Sequence, residues 1–119
     1  MPALETVGQY LQESRRLLQD QVVPYRYEDG DLIDALNIAI LEAKRLRADL
    51  FLPLFDLQWF NPEESPPDLA QVVTIDPMYR PALVYYVVGR MQLRDDEPTV
   101  DARAGAFLQK FTSQLMAVV

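Results

Sequence analysis

Apolar residues recur at helical spacing in four stretches, and a segment broken by prolines separates the second from the third. In the first stretch Leu4, Val7, Leu11 and Leu18 share one face, which predicts a helix from about Leu4 to Asp20. Arg15 and Arg16 fall late in it, where the helix dipole favours cations. Pro24 is expected to end it, because the residue before a proline avoids the α region. The second stretch carries a stripe of Leu32, Leu36, Ala39, Ala43, Leu46 and Leu50, widened by Ile33, Ile38, Ile40 and Leu41. A helix this apolar is central in a bundle or meets a neighbour. Glu28 or Asp29 is expected to cap it, and Lys44, Arg45 and Arg47 close it with the charge that the dipole prefers.

The third helix is expected from Asp76, with Pro77 at its first position. Tyr79, Leu83, Tyr86, Arg90 and Leu93 keep helical spacing, and the element is apolar nearly all round, so it should be the buried one. Gly89 is expected to permit a close helix approach. After the polar turn Asp95-Asp96-Glu97-Pro98, a fourth helix starts near Thr99 with the stripe Ala104, Phe107, Leu108, Phe111 and Leu115.

Between the second and third helices, about 51–76, the pattern changes. Pro53, Pro62, Pro66 and Pro67 interrupt it, and Phe55, Leu57 and Trp59 alternate with Asp56 and Gln58, which is strand periodicity. Gln71 to Ile75 is a second short β-prone run. The expected fold is therefore mainly α: one four-helix bundle-like domain over residues 1–119, with a proline-rich, partly β-hairpin insertion in the middle. Phe51, Phe55, Trp59 and Phe60 put four large rings in that insertion. Either they fold back over the helices as a satellite core, or they form a docking surface. Phe55, Leu57, Trp59 and Phe60 are the candidate interface residues of the segment. Val118 and Val119, in the apolar tail 116–119, are two more.

Composition then narrows the function. The chain has 119 residues, enough for one core. It has no cysteine and no histidine, which removes thiolate chemistry and the commonest general base and metal ligand. No run of about 18 apolar residues predicts a membrane span, and the first residues do not read as a secretory signal. A formal charge of -7 should repel nucleic acid over most of the surface. Glu28-Asp29-Gly30-Asp31 lacks the alternating oxygens and closing Glu of a calcium loop and reads as helix capping. Asp95-Asp96-Glu97 and Glu63-Glu64 read as solvated turns, not as paired acid–base groups. Neither Lys44 nor Lys110 reads as a desolvated catalytic amine. Nucleotide-binding and nucleophile-elbow glycine motifs are missing. The expectation is a non-enzyme with no catalytic, cofactor-binding or metal-binding residue.

Several stretches carry a family resemblance. Val23-Pro24-Tyr25-Arg26-Tyr27, Asp31 to Asn37, Lys44 to Phe51, Tyr79 to Arg90, Leu93 to Asp96 and Ala102 to Ala104 together resemble the head-to-tail adaptor (connector) proteins of tailed phages, over nearly the whole chain. The middle segment and the C-terminal tail match least. The resemblance implies a structural virion protein made in the host cytoplasm and placed in the neck between capsid and tail. It implies a homo-oligomeric ring, commonly dodecameric, that contacts the portal protein and tail proteins while DNA passes through its lumen without specific binding. The family defines no catalytic residues, and Tyr27, Leu36, Tyr79 and Arg90 are expected to hold the fold. The competing reading is a small cytosolic helical regulatory module that binds one protein partner.

Overall fold

The computed structural model describes residues 5–47, 59–64, 66–75, 77–93 and 98–116. Among them are four α-helices, α1 (Val7–Leu18), α2 (Asp29–Leu46), α3 (Arg80–Gln92) and α4 (Pro98–Leu115), with a single 3-10 turn at Pro77–Tyr79 leading into α3. The mainly helical, bundle-like architecture expected from the periodicity is present.

Helix α1 begins with a reciprocal capping box. The Thr6 side chain accepts from the Gln9 N–H, and the Gln9 side chain accepts from the Thr6 N–H. It ends at Gln19, which takes a left-handed conformation at φ 56°. The helix therefore stops well before Pro24, and local capping at Gln19, not the proline, sets its end. Leu4 and Leu50, expected in the apolar stripes, lie outside the described residues. Helix α2 starts after Glu28, which is extended but forms no side-chain cap bond, with Asp29 and Asp31 in the first turn. Helix α3 starts later than expected, at Arg80, because the backbone of Pro77–Tyr79 winds as 3-10. Pro81 then sits in the first turn, where its missing N–H costs no hydrogen bond.

Helix α3 is the middle of the molecule and touches α1, α2 and α4. Ala82, Leu83, Val84, Val87, Val88 and Met91 are buried on several sides of it, as an all-round apolar helix requires. Helix α4 lays Ala104, Phe107, Phe111 and Leu115 against it. The seam includes the edge-on pair Tyr86–Phe111, with ring centroids 4.8 Å apart. Gly89 allows this approach, since a Cβ there would stand 3.0 Å from the Ala104 carbonyl oxygen and 2.9 Å from Leu108 Cγ. Hydrogen bonds tie helix α4 near both ends, Arg103 to the Leu17 carbonyl at 3.2 Å and Arg47 to the Leu115 carbonyl at 2.8 Å.

No hairpin is seen among the described residues. Among the described residues there is no strand, only an isolated antiparallel bridge between Thr6 and Val72. The run 71–75 is extended, but it pairs with the start of α1. Val73 N–H donates to Glu5, Val7 N–H to Gln71 and Gly8 N–H to Leu69, at 2.8, 2.8 and 2.9 Å. The first helical N–H groups have no partner inside their own helix, and this segment supplies carbonyls for two of them. Arg80 closes the same corner by an ion pair with Glu5. The other expected arm, Phe55 and Leu57, lies outside the described residues.

Candidate functional site

Three surface features bear on function. The first is the loop between α1 and α2, residues 20–28. It is built on Arg15, whose helix position suggested only a favourable dipole contact. In the structure Arg15 is buried and central. Its guanidinium donates to Asp20 at 2.7 Å, Asp29 at 2.6 Å and the Tyr27 carbonyl at 2.9 Å, and it lies 3.8 Å from the Tyr25 ring centroid. Asp20 also accepts from the N–H groups of Arg26 and Tyr27. One buried ion pair thus shapes the whole loop, and Asp29 joins it from the first turn of α2. The Val23–Pro24 peptide is cis. The loop pushes Val22 and Val23 outward, at 81% and 73% exposure. Beside it, Gly8, Leu11, Gln12, Arg15 and Tyr25 line a cleft of about 340 Å³.

The second feature is the segment 59–64, strapped along α2. The Asn37 side chain accepts from the Phe60 N–H at 2.9 Å and donates to the Phe60 carbonyl at 2.7 Å. Gly30 is needed under the strap, because a Cβ there would come 2.3 Å from the Pro62 carbonyl oxygen. The strap separates two adjacent candidates. Phe60 is 4% exposed and belongs to the chain's own core, so it cannot serve as a surface anchor, whereas Trp59 is 63% exposed. Val73 and Ile75 are buried in the same core and Val72 is exposed. Of the four rings, Phe60 thus folds back into the core, together with Val73 and Ile75, Trp59 remains on the surface, and Phe51 and Phe55 lie outside the described residues. Phe55, Leu57, Val118 and Val119 lie outside the described residues.

The third feature is a groove of about 300 Å³ on the far flank of α2, where α2 and α4 straddle α3. Leu46, Tyr86, Leu93 and Phe111 form its apolar wall, and Arg45 and Arg90 stand at its rim. Arg45 pairs with Glu42 at 2.8 Å. That hydrogen bond, with the carboxylate's charge, holds the guanidinium above its ordinary pKa. Arg90 was expected to hold the fold with Tyr27, Leu36 and Tyr79. Tyr27 and Leu36 are buried and Tyr79 half-buried, but Arg90 is exposed and forms no ion pair among the described residues. Sequence reasoning missed both the groove and the Val22–Val23 protrusion. The signal for the second was on view, since two valines in an interhelical turn have no reason of their own to be there.

Among the described residues no group of three or more potential metal ligands comes together, and no helix is long and apolar enough to cross a membrane. What the three features offer is apolar contact framed by charge. Compared with models of protein families, with curated proteins and with solved structures, the chain matches none.

Proposed function

We propose that the chain is a structural subunit that assembles with other protein chains, as the adaptor ring joining portal to tail in a tailed-phage neck. The observation that carries this is the exposure of Val22, Val23 and Trp59 on a bundle that buries a core of its own. Side chains this exposed contribute little to the fold, and an exposed indole is among the commonest anchors of interfaces. The motif stretches that resemble adaptor proteins add the ring, the portal and tail partners and the DNA channel. The charge of -7 suits a wall that DNA passes without sticking.

The test is reconstitution. The chain is co-expressed with the portal protein of the same genome, and the purified complex is imaged by cryo-electron microscopy. A ring of this chain beneath the portal, dodecameric on the family pattern, is the expected result. Failure to bind the portal, together with recovery of the chain on a single cytosolic partner, would overturn the proposal in favour of a regulatory module.

A further inference from the structure

We propose that two of these surfaces fit each other: Trp59, Glu63 and Glu64 of one copy seat in the groove between α2 and α4 of a second copy. The inference deepens the assembly reading and rests on it for closure into a ring, whereas the pairwise contact is tested separately.

The knob is pre-built. Trp59 precedes the residue that Asn37 grips through both backbone groups, and Pro62 rests on Gly30. Asn61 accepts the Glu63 N–H at 2.9 Å, forming a turn that leaves the carboxylates of Glu63 and Glu64 exposed. Neither has an ion pair among the described residues. Holding Trp59 on a fixed base cuts the ordering cost of association.

The groove has the opposite character. Its rim carries Arg45, Arg90 and Glu42, a surplus of one positive charge, in a chain whose net charge is -7. Two such acidic subunits repel over most orientations and are steered to the few that juxtapose unlike charge. A volume of about 300 Å³ is at the low end for ligand pockets, so it suits one buried ring better than a helix or a drug-sized molecule. The wall of Leu46, Tyr86, Leu93 and Phe111 gives an indole apolar and aromatic contact. Arg90, with no ion-pair partner among the described residues of its own subunit, is placed to meet Glu63 or Glu64.

Position makes the contact directional. The strap lies on the flank of α2 marked by Gly30 and Asn37, and the groove on the flank marked by Glu42 and Arg45. At 3.6 residues per turn these flanks are about a third of a turn apart. Each copy therefore presents a knob on one side and a groove on another. Such a head-to-tail contact builds a ring when its rotation closes and a filament when it does not.

The cysteine-free sequence allows a clean trap. Glu64→Cys beside the knob and Thr112→Cys on the groove's rim are made in separate chains, both at exposed positions that keep Trp59 and the apolar wall intact, and circular dichroism confirms that each is folded. The two are mixed, mildly oxidised and resolved by mass spectrometry. The disulfide-linked heterodimer of the two variants should exceed both homodimers by about tenfold, which corresponds to roughly 1.4 kcal/mol of preference. Adding Glu63→Lys to the knob chain should lower the heterodimer about fivefold, and Arg90→Glu on the groove chain should restore it. A statistical mixture, a dominant knob-to-knob homodimer, or indifference to the charge changes would overturn the contact. If the trap fails while the unaltered chain still forms a ring on the portal, the contact falls and the assembly reading stands. If the trap succeeds and no ring forms on the portal, the contact stands and the adaptor reading falls.

Discussion

Arg15 joins the start of α2 to the end of α1 through a side chain 7% exposed and two carboxylates, one of them equally enclosed. Removing one member of such a buried pair leaves the other charged and desolvated. Arg15→Ala should therefore destabilise the protein by about 3–5 kcal/mol. Arg15→Lys should recover only part of that, because one ammonium cannot reproduce a planar fork that reaches Asp20, Asp29 and the Tyr27 carbonyl together. Urea unfolding followed by circular dichroism measures both, and a loss below about 1 kcal/mol for Arg15→Ala would remove the pair from its central role. The two glycines at the α3–α4 level form a second matched test. Both lie inside helices, where Ala is favoured over Gly by about 1 kcal/mol. At Gly105 nothing stands within 4 Å of a new Cβ, so Gly105→Ala should stabilise the protein by up to that amount. At Gly89 the Ala104 carbonyl is in the way, and overpacking of about 1–3 kcal/mol should outweigh the gain and make Gly89→Ala destabilising. Thermal melts of the pair decide it, and equal effects would mean that α4 is not pressed on α3 at Gly89. The Gly89 contact was legible from the sequence, because a lone glycine in an otherwise large-residue helix needs a reason. The Arg15 network was not, because its acceptors come from residues 5, 12 and 14 positions away and no local spacing rule connects them.

At the scale of elements, the helices were readable and the links between them were not. Periodicity marks a face, and the stripes of α2 and α4 are buried largely as required, whereas of the spaced set on α3 only Leu83 is buried and Arg90 and Leu93 are exposed, because that helix buries Ala82, Val84, Val87, Val88 and Met91 instead. The ends moved where backbone conformation, not polarity, decides: Gln19 in the left-handed region for α1, and the 3-10 turn before α3. The run Gln71–Ile75 has strand composition, but its partner turned out to be the N-terminus of α1, a pairing over more than sixty residues that no alternation pattern encodes. Alternation still told which side faces in, since Val73 and Ile75 are buried and Val72 is exposed. The strap on α2 gives the prediction that belongs here. Asn37→Ala deprives the N–H and the carbonyl of buried Phe60 of the side-chain amide that pairs both. An orphaned buried group costs about 1–3 kcal/mol, so the variant should lose about 2–4 kcal/mol. The loss should be local in origin. Hydrogen exchange at the Phe60 amide should accelerate by at least about tenfold, while amides in the middle of α3 keep most of their protection. Uniform acceleration across the whole chain would show instead that the strap and the bundle unfold as one unit.

For the molecule as a whole, the questions are what it avoids and what it joins. A charge of -7 per subunit repeats around any ring, so contact with duplex DNA should be weak, steeply dependent on salt and blind to sequence. Fluorescence anisotropy with a short duplex at physiological salt should detect no submicromolar binding, and tight binding would remove the passive-channel reading. The subunit alone should be monomer or small oligomer by light scattering, since one exposed indole and a small groove bury little area beside the standard interface of about 1,600 Å². Assembly then depends on a template that raises the local concentration of subunits. Trp59→Ala separates folding from joining. Its side chain is 63% exposed while the neighbouring Phe60 carries the burial. The variant should therefore melt within about 0.5 kcal/mol of the unaltered chain. In assembly it should lose about 2 kcal/mol or more per contact, the usual cost of deleting a central aromatic anchor. Phe60→Ala is the counterpart, expected to lose about 3–5 kcal/mol of fold stability through the cavity it leaves. Calorimetry and a portal-templated ring assay run on both variants give a crossed result if the surface reading is right. If Trp59→Ala assembles normally, the indole is not an anchor, and the joining surface must then be sought at the Val22–Val23 protrusion.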